Sequence, residues 1–258
     1  LDWTLAETLL ALGVTPAGVA QRDAYHAWVT APRLPEASVD LGLRSQPNLE
    51  LLASLALEQI LITPMFANLA PRLARIAPVT NLPLYAPGRA TWPQLRELTR
   101  GVGRLVAREA AAEQLIDTTE TRLAALGEQL PETLPPLLVV QFMDARHVRV
   151  FGQGGLYQAV MTRLGLANAW QGPTNAWGFS LVGLEQLAGL EARLVVVEPY
   201  PVGVEAALAD SGLWQHQPSV RDNTLITLPP VWSFGALPSA QRFADQLVAA
   251  LRETSHDD

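Results

Sequence analysis

The spacing of apolar residues near the start of the chain is helical. Residues 4–13 read TLAETLLALG, with leucines and alanines three to four positions apart. Thr4 and Glu7 have the spacing of a capping box, and Gly13 suits the left-handed position that ends a helix. The pattern therefore predicts a first helix that begins near Thr4 and ends at Gly13.

Short helical and strand patterns alternate after this helix. Residues 59–64, QILITP, contain the β-branched run that is typical of a buried strand. Short helices are predicted on either side of it, at 48–56 and 71–78, and a loop into a short strand is predicted at 14–20. This alternation favours an α/β fold with parallel strands.

The middle of the chain differs, because helical periodicity continues almost throughout residues 92–130. Gly101 and Gly103 are expected to divide this stretch into two helices. The second helix, from about Arg108 to Leu130, would be longer than about 30 Å at the rise of a regular helix. The proline-rich stretch that follows, 131–136, ends it.

The alternation of strands and helices resumes in the second half. Strand and helix signals again follow each other, which predicts a second α/β unit. The predicted strands are 137–142, 148–151, 193–199 and 223–230, and the predicted helices are 156–165, 184–190 and 239–253.

The two halves of the chain also carry similar strings. Residues 48–63, NLELLASLALEQILIT, match residues 183–198, GLEQLAGLEARLVVVE, and Glu50 and Glu185 hold the same place in the two copies. Two weak copies predict an α/β protein with two Rossmann-like lobes, each with a mainly parallel sheet, joined by one long helix. The cleft between such lobes is the expected ligand site. The predicted boundaries are 1–107 for the N-terminal lobe, 108–131 for the linking helix and 132–258 for the C-terminal lobe.

Composition narrows the function classes. The 258 residues are 49% hydrophobic and 17% charged, which is typical of a globular protein, and no apolar run approaches the length of a membrane span. The net charge of −7 argues against a nucleic-acid partner. The absence of cysteine excludes disulfides and thiolate chemistry and suits an oxidising compartment such as the periplasm. The chain opens abruptly within a helical pattern, so we expect a leader, and with it a signal peptide or a lipid anchor, to have preceded it.

Three long strings resemble a known family. They are YHAWVTAPRLPEASVDLGLRSQPNLELL, DARHVRVFGQGGLYQAVMTRLGLANAWQGPTNAWG and LPPVWSFGALPSAQRF. The chain resembles the substrate-binding proteins of ABC importers for siderophores, haem and cobalamin, and within them the ferric-hydroxamate (ferrichrome-type) binding proteins. The resemblance covers nearly the whole chain in order. It implies two lobes joined by one long helix, no cofactor, and an iron that is held by the siderophore rather than by protein ligands.

The resemblance also implies a role for Arg44. The matching arginine of the family points into the ligand cleft and donates to hydroxamate oxygens around the ferric ion. A guanidinium fork suits this task, because it can meet two partly negative oxygens at once. Ser45 is a weaker candidate for a hydroxyl contact. The alternative for Arg44 is a helix cap or a surface ion pair.

Several apolar and aromatic side chains join this predicted site. Aromatic walls suit the apolar backbone of a ferric trihydroxamate, and the family resemblance places such walls in both lobes. Trp170 and Trp232 could equally belong to the core. The tryptophans expected in the site are Trp28, Trp170, Trp177 and Trp232, and Met143 is a further apolar candidate.

The chain departs from the ferrichrome-type pattern at three positions. Phe66 and Phe234 stand where the relatives have tyrosine, so two phenol donors are missing. Arg149 stands where the relatives have an apolar residue. If Arg149 faces the cleft, the site has two cations and suits a siderophore with carboxylates, such as the citrate-hydroxamate aerobactin; if it faces solvent, it carries no information about the ligand.

Glu50 and Glu185 are the expected docking residues. In the resembling family, one acidic residue on each lobe docks onto arginines of the inner-membrane permease of the ABC transporter, and charge pairs at a rim favour correct orientation. The alternative is an early-turn glutamate favoured by the helix dipole. The resemblance further implies a monomer, either periplasmic or lipid-anchored at the outer face of the cytoplasmic membrane.

Several competing functions are compatible with the sequence. Haem, cobalamin or a catecholate complex is an alternative cargo, and an α/β siderophore-processing enzyme or a permanently docked partner without ligand is an alternative class. The four histidines, at 26, 147, 216 and 256, lack metal-ligand spacing, and no G-x-S-x-G nucleophile motif occurs. These observations favour a binding protein over an enzyme or a metalloprotein.

Overall fold

The computed structural model describes residues 1–253, so residues 254–258 of the predicted C-terminal lobe, including His256, lie outside it. The chain divides into two compact units. Unit 1 comprises residues 1–119 and 234–239, and unit 2 comprises residues 120–233 and the chain from residue 240 onward. The first boundary falls inside a long helix. The predicted limits of lobes and linking helix, 1–107, 108–131 and 132–258, stay a prediction.

Unit 1 is mixed α/β and contains two small parallel sheets rather than one continuous sheet. Strand β1 pairs with β2, and β3 pairs with β4. A 3-10 helix, Pro64–Leu69, connects β3 to the following helix. The elements of unit 1 are α1 (Trp3–Ala11), β1 (Gly18–Val19), α2 (Arg22–Trp28), β2 (Val39–Asp40), α3 (Leu49–Ser54), β3 (Ile60–Ile62), α4 (Ala70–Leu73), β4 (Val79–Asn81), α5 (Thr91–Leu105) and the start of α6 (Glu109–Gly127).

The strand predicted at 59–64 is confirmed as β3, and its burial explains its sequence. Ile60 and Ile62 face a core that Leu52 of α3 and Leu73 of α4 complete. The β-branched side chains suit this half-covered, pleated surface. Strand β3 is therefore part of the hydrophobic core of unit 1.

The capping box predicted for the first helix is wrong. Asp2 is the N-cap of α1, and its carboxylate accepts a hydrogen bond from the backbone N–H of Thr4 at 2.9 Å. Thr4 and Glu7 lie inside the helix and are both buried. Gly13 does adopt the left-handed conformation, with φ of +75°. The helix begins two residues earlier than predicted because Asp2 is itself a favoured capping residue.

The long helical stretch does divide in two, but not at its glycines. Gly101 and Gly103 lie inside α5, and the break falls at 106–108, where Ala107 has φ of +50°. A Cβ at Gly103 would lie 2.7 Å from the Cβ of Ala112 in α6. Gly103 therefore allows the start of α6 to pack closely against α5, which is a packing role rather than a breaking role.

Unit 2 is built on a five-stranded sheet with the order β7-β6-β5-β8-β9. The pairs β5–β8 and β8–β9 are parallel, whereas β5–β6 and β6–β7 are antiparallel. The end of α6 belongs to this unit, and so does α11 from residue 240 onward. The elements are β5 (Leu137–Phe142), β6 (His147–Phe151), α7 (Leu156–Arg163), β7 (Phe179–Gly183), β8 (Arg193–Val197), α8 (Val204–Ala209), α9 (Gly212–Gln215), α10 (Pro218–Arg221), β9 (Ile226–Leu228) and α11 (Leu237–Glu253).

The predicted α/β class is confirmed, and the sheet of unit 2 differs from the expected mainly parallel arrangement in one half. The connection between β5 and β6 is the short turn 143–146, which is too short for the crossover that parallel strands need. Strand β7, which the sequence did not predict, extends the antiparallel half. The short helix predicted at 184–190 is a 3-10 helix over Leu184–Leu187.

Within residues 1–253, no helix combines the length and the apolar character that crossing a membrane requires.

Candidate functional site

The loop that carries Arg44 is held firmly at both ends. Gly42 has φ of +77°, a conformation that favours glycine, and it forms an isolated bridge with Pro47. Just beyond the bridge, the backbone N–H of Asn48 donates to the carbonyl of Leu41 at 2.8 Å. The loop therefore returns on itself and presents Arg44 at its tip.

The guanidinium of Arg44 lies over two aromatic rings of unit 1. Its central carbon Cζ is 4.2 Å from the ring centroid of Trp3 and 5.0 Å from that of Phe66. Arg44 Nε donates to the carbonyl of Leu1 at 3.3 Å, and Nη2 lies 3.7 Å from Sδ of Met65. Stacking of this kind fixes the orientation of a cation before a ligand arrives.

Burial and one nearby carboxylate set the electrostatics of Arg44. Burial lowers the pKa of Arg44, and the negative charge of Asp2 raises it. The guanidinium stays protonated, because arginine does not lose its charge in proteins. Apolar side chains beside it remain open to solvent, with Leu43 54% and Met65 38% exposed. The result is a half-buried cation with an apolar border.

Phe66 packs beneath the Arg44 guanidinium. The other predicted site residues of unit 1, Ser45 and Trp28, have no such ring contact with Arg44 in the interactions above. The Phe66 ring is 6% exposed and belongs to the core of unit 1, so it supplies a ring face rather than a donor. Ser45 is exposed next to Arg44. Trp28 is half-buried at the end of α2 and is not among the residues that contact Arg44 in the interactions above.

Trp3 is the member of this group that sequence reasoning missed. Its ring lies closest to the Arg44 guanidinium, and its indole N–H donates to the carbonyl of Ala20 at 2.9 Å. The helix pattern marked the neighbourhood of Trp3 as apolar but gave no link to a loop far along the chain.

Arg149 of unit 2 resembles Arg44 because it is a half-buried cation that lies over an aromatic ring. It is half-buried on β6, and its Cζ lies 5.1 Å from the ring centroid of Phe179. Nη1 donates to Oε1 of Gln141 on β5 at 3.4 Å. Burial lowers the pKa of Arg149, and Tyr157 raises it. Both candidate cations thus lie over aromatic rings.

Met143 and Trp177 are the solvent-facing apolar candidates of unit 2. Met143 follows β5 and is 40% exposed, and Trp177 precedes β7 and is 38% exposed. The backbone N–H of Trp177 donates to the side chain of Asn175 at 3.0 Å, which fixes the turn. Large apolar side chains left open in this way are suited to meeting an apolar ligand.

Trp170 is half-buried, so it can pack on the core of unit 2 and still meet a ligand. The ring packs against the core of unit 2. A Cβ added at Gly152 or Gly172 would lie 2.7 or 2.6 Å from it. Both glycines therefore make room for this indole, whose N–H donates to the carbonyl of Pro173 at 3.4 Å.

Phe234 begins the segment 234–239, which is part of unit 1, and Trp232 lies two residues before it in the chain. Both rings are buried, at 7% and 9% exposed. The carbonyl of Phe234 accepts from the Thr4 hydroxyl at 2.7 Å, and the carbonyl of Gly235 accepts from the Tyr85 hydroxyl at 2.6 Å. The segment 234–239 is therefore fixed by side chains of unit 1.

Glu7 is the third anchor of the segment 234–239. Its two carboxylate oxygens accept from the backbone N–H of Ala236 and from the Ser239 hydroxyl, each at 2.5 Å. Burial raises the pKa of Glu7 to about 7, although the Ser239 and Ala236 hydrogen bonds oppose the shift. Sequence reasoning treated this residue as a helix-start signal and missed the anchor.

Glu50 and Glu185 are both exposed, each in the first turn of a short helix. Glu50 lies in α3, where Asn48 caps the helix by accepting from the N–H of Leu51 at 2.9 Å. Glu185 lies in the 3-10 helix after β7. Both carboxylates are therefore available to a partner, and each also suits the positive end of its helix.

The residues described form no group of three or more His, Cys, Asp or Glu side chains that could hold a metal ion. His147 contacts Asp144, with Nδ1 2.9 Å from Oδ2, in the turn between β5 and β6. That pair stabilises the turn.

Comparison with known proteins places this geometry in a family. The profile described as periplasmic binding protein matches residues 1–231. The chain is 33% identical to the iron(3+)-hydroxamate-binding protein FhuD of Escherichia coli (strain K12), over 97% of this chain and 85% of that protein. It is 28% identical to the achromobactin-binding periplasmic protein of Dickeya dadantii (strain 3937), over 88% of this chain and 70% of that protein.

A solved structure agrees with these relatives. The crystal structure of the siderophore-binding protein FhuD from Vibrio cholerae, bound to Fe3+-Desferal, superposes with a TM-score of 0.91 at 28% identity, covering 97% of this chain and 96% of that chain. The profile match over most of the chain and the identity to the Escherichia coli protein together establish the family. The chain belongs to the periplasmic binding protein family.

Proposed function

We propose that the chain binds a ferric hydroxamate-type siderophore and delivers it to an ABC-transporter permease for iron uptake. The observation that carries the proposal is the 33% identity, along 97% of the chain, to a protein named for binding iron(3+)-hydroxamate. The protein is then a carrier and not an enzyme. The iron is cargo, and its ligands are the oxygens of the siderophore.

Arg44 is the central polar contact of this proposal. Its guanidinium is oriented by Trp3 and Phe66 and can donate to two hydroxamate oxygens. Since Phe66 and Phe234 lack the phenol oxygen that the family resemblance leads us to expect, Arg44 carries most of the polar recognition in unit 1. The further proposed contacts are Trp28, Ser45, Phe66, Met143, Arg149, Trp170, Trp177, Trp232 and Phe234.

Location and partners follow from the same role. A carrier of this kind works in the periplasm, either free or lipid-anchored at the outer face of the cytoplasmic membrane, and it acts as a monomer. Glu50 and Glu185 are the proposed contacts to the permease, because both are exposed and their carboxylates can meet arginines.

A fluorescence titration tests the proposal. The ferric complexes of Desferal, ferrichrome and aerobactin are added to the protein while tryptophan emission is followed, and N-acetyl-tryptophanamide corrects for absorption by the complexes. We expect saturable quenching by at least one ferric complex and none by iron-free Desferal. Equilibrium dialysis with radioactive iron provides a second readout. If no complex binds in either measurement, the proposal is wrong.

A further inference from the structure

A pair of polar side chains lies on adjacent strands of the sheet of unit 2. Gln141 of β5 and Arg149 of β6 are directly opposed in the antiparallel register, and Leu181 of β7 is opposed to Arg149. Directly opposed residues of neighbouring strands share a face of the sheet. Val148 and Val150, which flank Arg149, point to the other face and belong to the core. The pair therefore lies in one row across three strands.

Gln141 has a buried hydrogen-bond donor that no described residue satisfies. The side chain is 1% exposed, and Oε1 accepts from Arg149 Nη1 at 3.4 Å. Its Nε2 is buried and has no hydrogen-bond partner among the residues that the structure describes. Buried amide groups are nearly always paired, so an unpaired one calls for a partner that arrives from elsewhere.

Arg149 gives this row an approach from solvent. It is only half-buried, Leu181 beside it is 61% exposed, and Met143 at the end of β5 is 40% exposed. Its guanidinium lies over Phe179, an arrangement that orients the donors. Burial lowers the pKa of Arg149, which means that the cation has lost part of its hydration. A bound anion would replace the hydration that the Arg149 guanidinium loses through burial.

We propose that Gln141 and Arg149 form a binding site for a carboxylate on the organic part of the siderophore, outside the hydroxamate oxygens that hold the iron. This inference rests on the proposed function. A planar carboxylate matches the parallel N–H donors of the guanidinium. It meets Arg149 first, because Arg149 is the more exposed member, and a rotation of the Gln141 amide then directs Nε2 to the same group. A siderophore that ends in an ammonium group is disfavoured by the same cation.

A matched pair of ligands tests the site. Desferal ends in a primary amine, which can be acetylated to a neutral end or succinylated to a carboxylate, and both ferric complexes keep the same iron centre. We expect the wild type to bind the succinyl complex about tenfold tighter than the acetyl complex, as for one added charge-assisted contact. Arg149→Leu should remove this preference, and Gln141→Leu should reduce it about threefold.

Control variants separate a site effect from a fold effect. Arg146→Leu makes the same charge change in the exposed turn of the same hairpin and should keep the full preference. Arg149→Lys keeps the charge without the planar fork and should retain part of it. Affinity for the acetyl complex, which lacks the carboxylate, reports whether each variant still folds and binds.

Two negative outcomes have different meanings. If neither complex binds the wild type, the proposed function fails together with the inference. If the acetyl complex binds but the wild type shows no preference for the succinyl complex, the carboxylate site is overturned while the proposed function stands. Preference that survives both Arg149→Leu and Gln141→Leu would also overturn it.

Discussion

Glu7 in α1 accepts a hydrogen bond from the hydroxyl of Ser239, near the start of α11, at a distance of 2.5 Å. The same carboxylate accepts from the backbone N–H of Ala236. The contact ties the segment 234–239, next to Trp232 and including Phe234, to the first helix of the described chain. A fully buried carboxyl that performs this task has consequences for stability.

Unfolding should therefore depend on pH through Glu7. Its pKa is about 7 in the folded protein and close to 4.5 in the unfolded chain. Below pH 4.5 both states hold the proton, and the stabilising contribution is complete. Between these values the unfolded chain releases the proton while the folded protein keeps it, so stability falls as pH rises, by about 3 kcal/mol in total. Urea unfolding at a series of pH values from 4.5 to 8 measures this slope.

The variant Glu7→Gln provides the control. An amide does not titrate in this range, and the Ser239 hydroxyl can accept from it as well as donate. The variant should lose the decline between pH 4.5 and 7 that Glu7 produces, whereas Glu58→Gln, which changes an exposed glutamate, should keep it. An unchanged slope in Glu7→Gln would contradict this assignment of the titrating group.

Arg44 should matter more for siderophore affinity than any single tryptophan. Arg44→Ala removes the donor fork that unit 1 orients, and we expect a loss of at least tenfold, or about 1.4 kcal/mol. The affinity of Arg44→Lys should fall between those of the wild type and Arg44→Ala. The ammonium group keeps the charge, but it does not stack on the rings and cannot donate two parallel hydrogen bonds. Fluorescence titration with Fe3+-Desferal measures each affinity.

Arg75→Ala is the matched control for Arg44, since it removes an exposed arginine from unit 1. Its affinity should equal that of the wild type. If Arg44→Ala also binds normally, Arg44 is a structural residue that packs on Trp3 and Phe66, and the ligand is recognised elsewhere.

Local patterns in the sequence predicted the elements that depend on local chemistry. The β-branched runs of β3, β5 and β8 and the amphipathic pattern of α11 gave the right element types. Strand β7 was missed because its residues FSLVG offer little alternation and their burial depends on pairing with β6. Strands with a β-branched run or a regular pattern were therefore predicted, whereas the edge strand β7 and the short strands β2 and β4 of unit 1 were not.

Local sequence patterns could not predict contacts between residues that are far apart in the chain. Trp3 meets Arg44, and Glu7 meets Ser239, only because the chain folds back on itself. Arg44 itself was found through a family resemblance, not through periodicity. Its placement over Trp3 and Phe66 needed the three-dimensional structure.

The two glycines of α5 should respond differently to alanine. A Cβ at Gly103 would lie 2.7 Å from Cβ of Ala112, whereas at Gly101 it would lie 3.1 Å from a terminal methyl group of Leu82, which can move. Alanine favours a helix over glycine by about 1 kcal/mol at both positions. We therefore expect Gly101→Ala to be neutral or stabilising and Gly103→Ala to be destabilised by about 1–3 kcal/mol.

Urea unfolding of the two variants checks this difference, and each serves as the control for the other. Equal stability of both would show that α6 can shift away from α5 without cost. The packing role assigned to Gly103 would then be wrong.

Glu50 and Glu185 should affect transport without affecting binding. Reversing either charge, in Glu50→Lys or Glu185→Lys, places a cation where we propose that permease arginines dock, and like charges repel at such a rim. Uptake of the ferric siderophore by cells that depend on this protein should fall severalfold for each variant and further for the double variant. Affinity for the siderophore should stay at the wild-type value, because neither carboxylate is among the proposed ligand contacts.

Glu58→Lys and Glu205→Lys are the control variants. They make the same charge change at exposed positions of the same units and should transport normally. Normal uptake by the double variant would assign both glutamates to their helix ends alone, where the dipole already favours them.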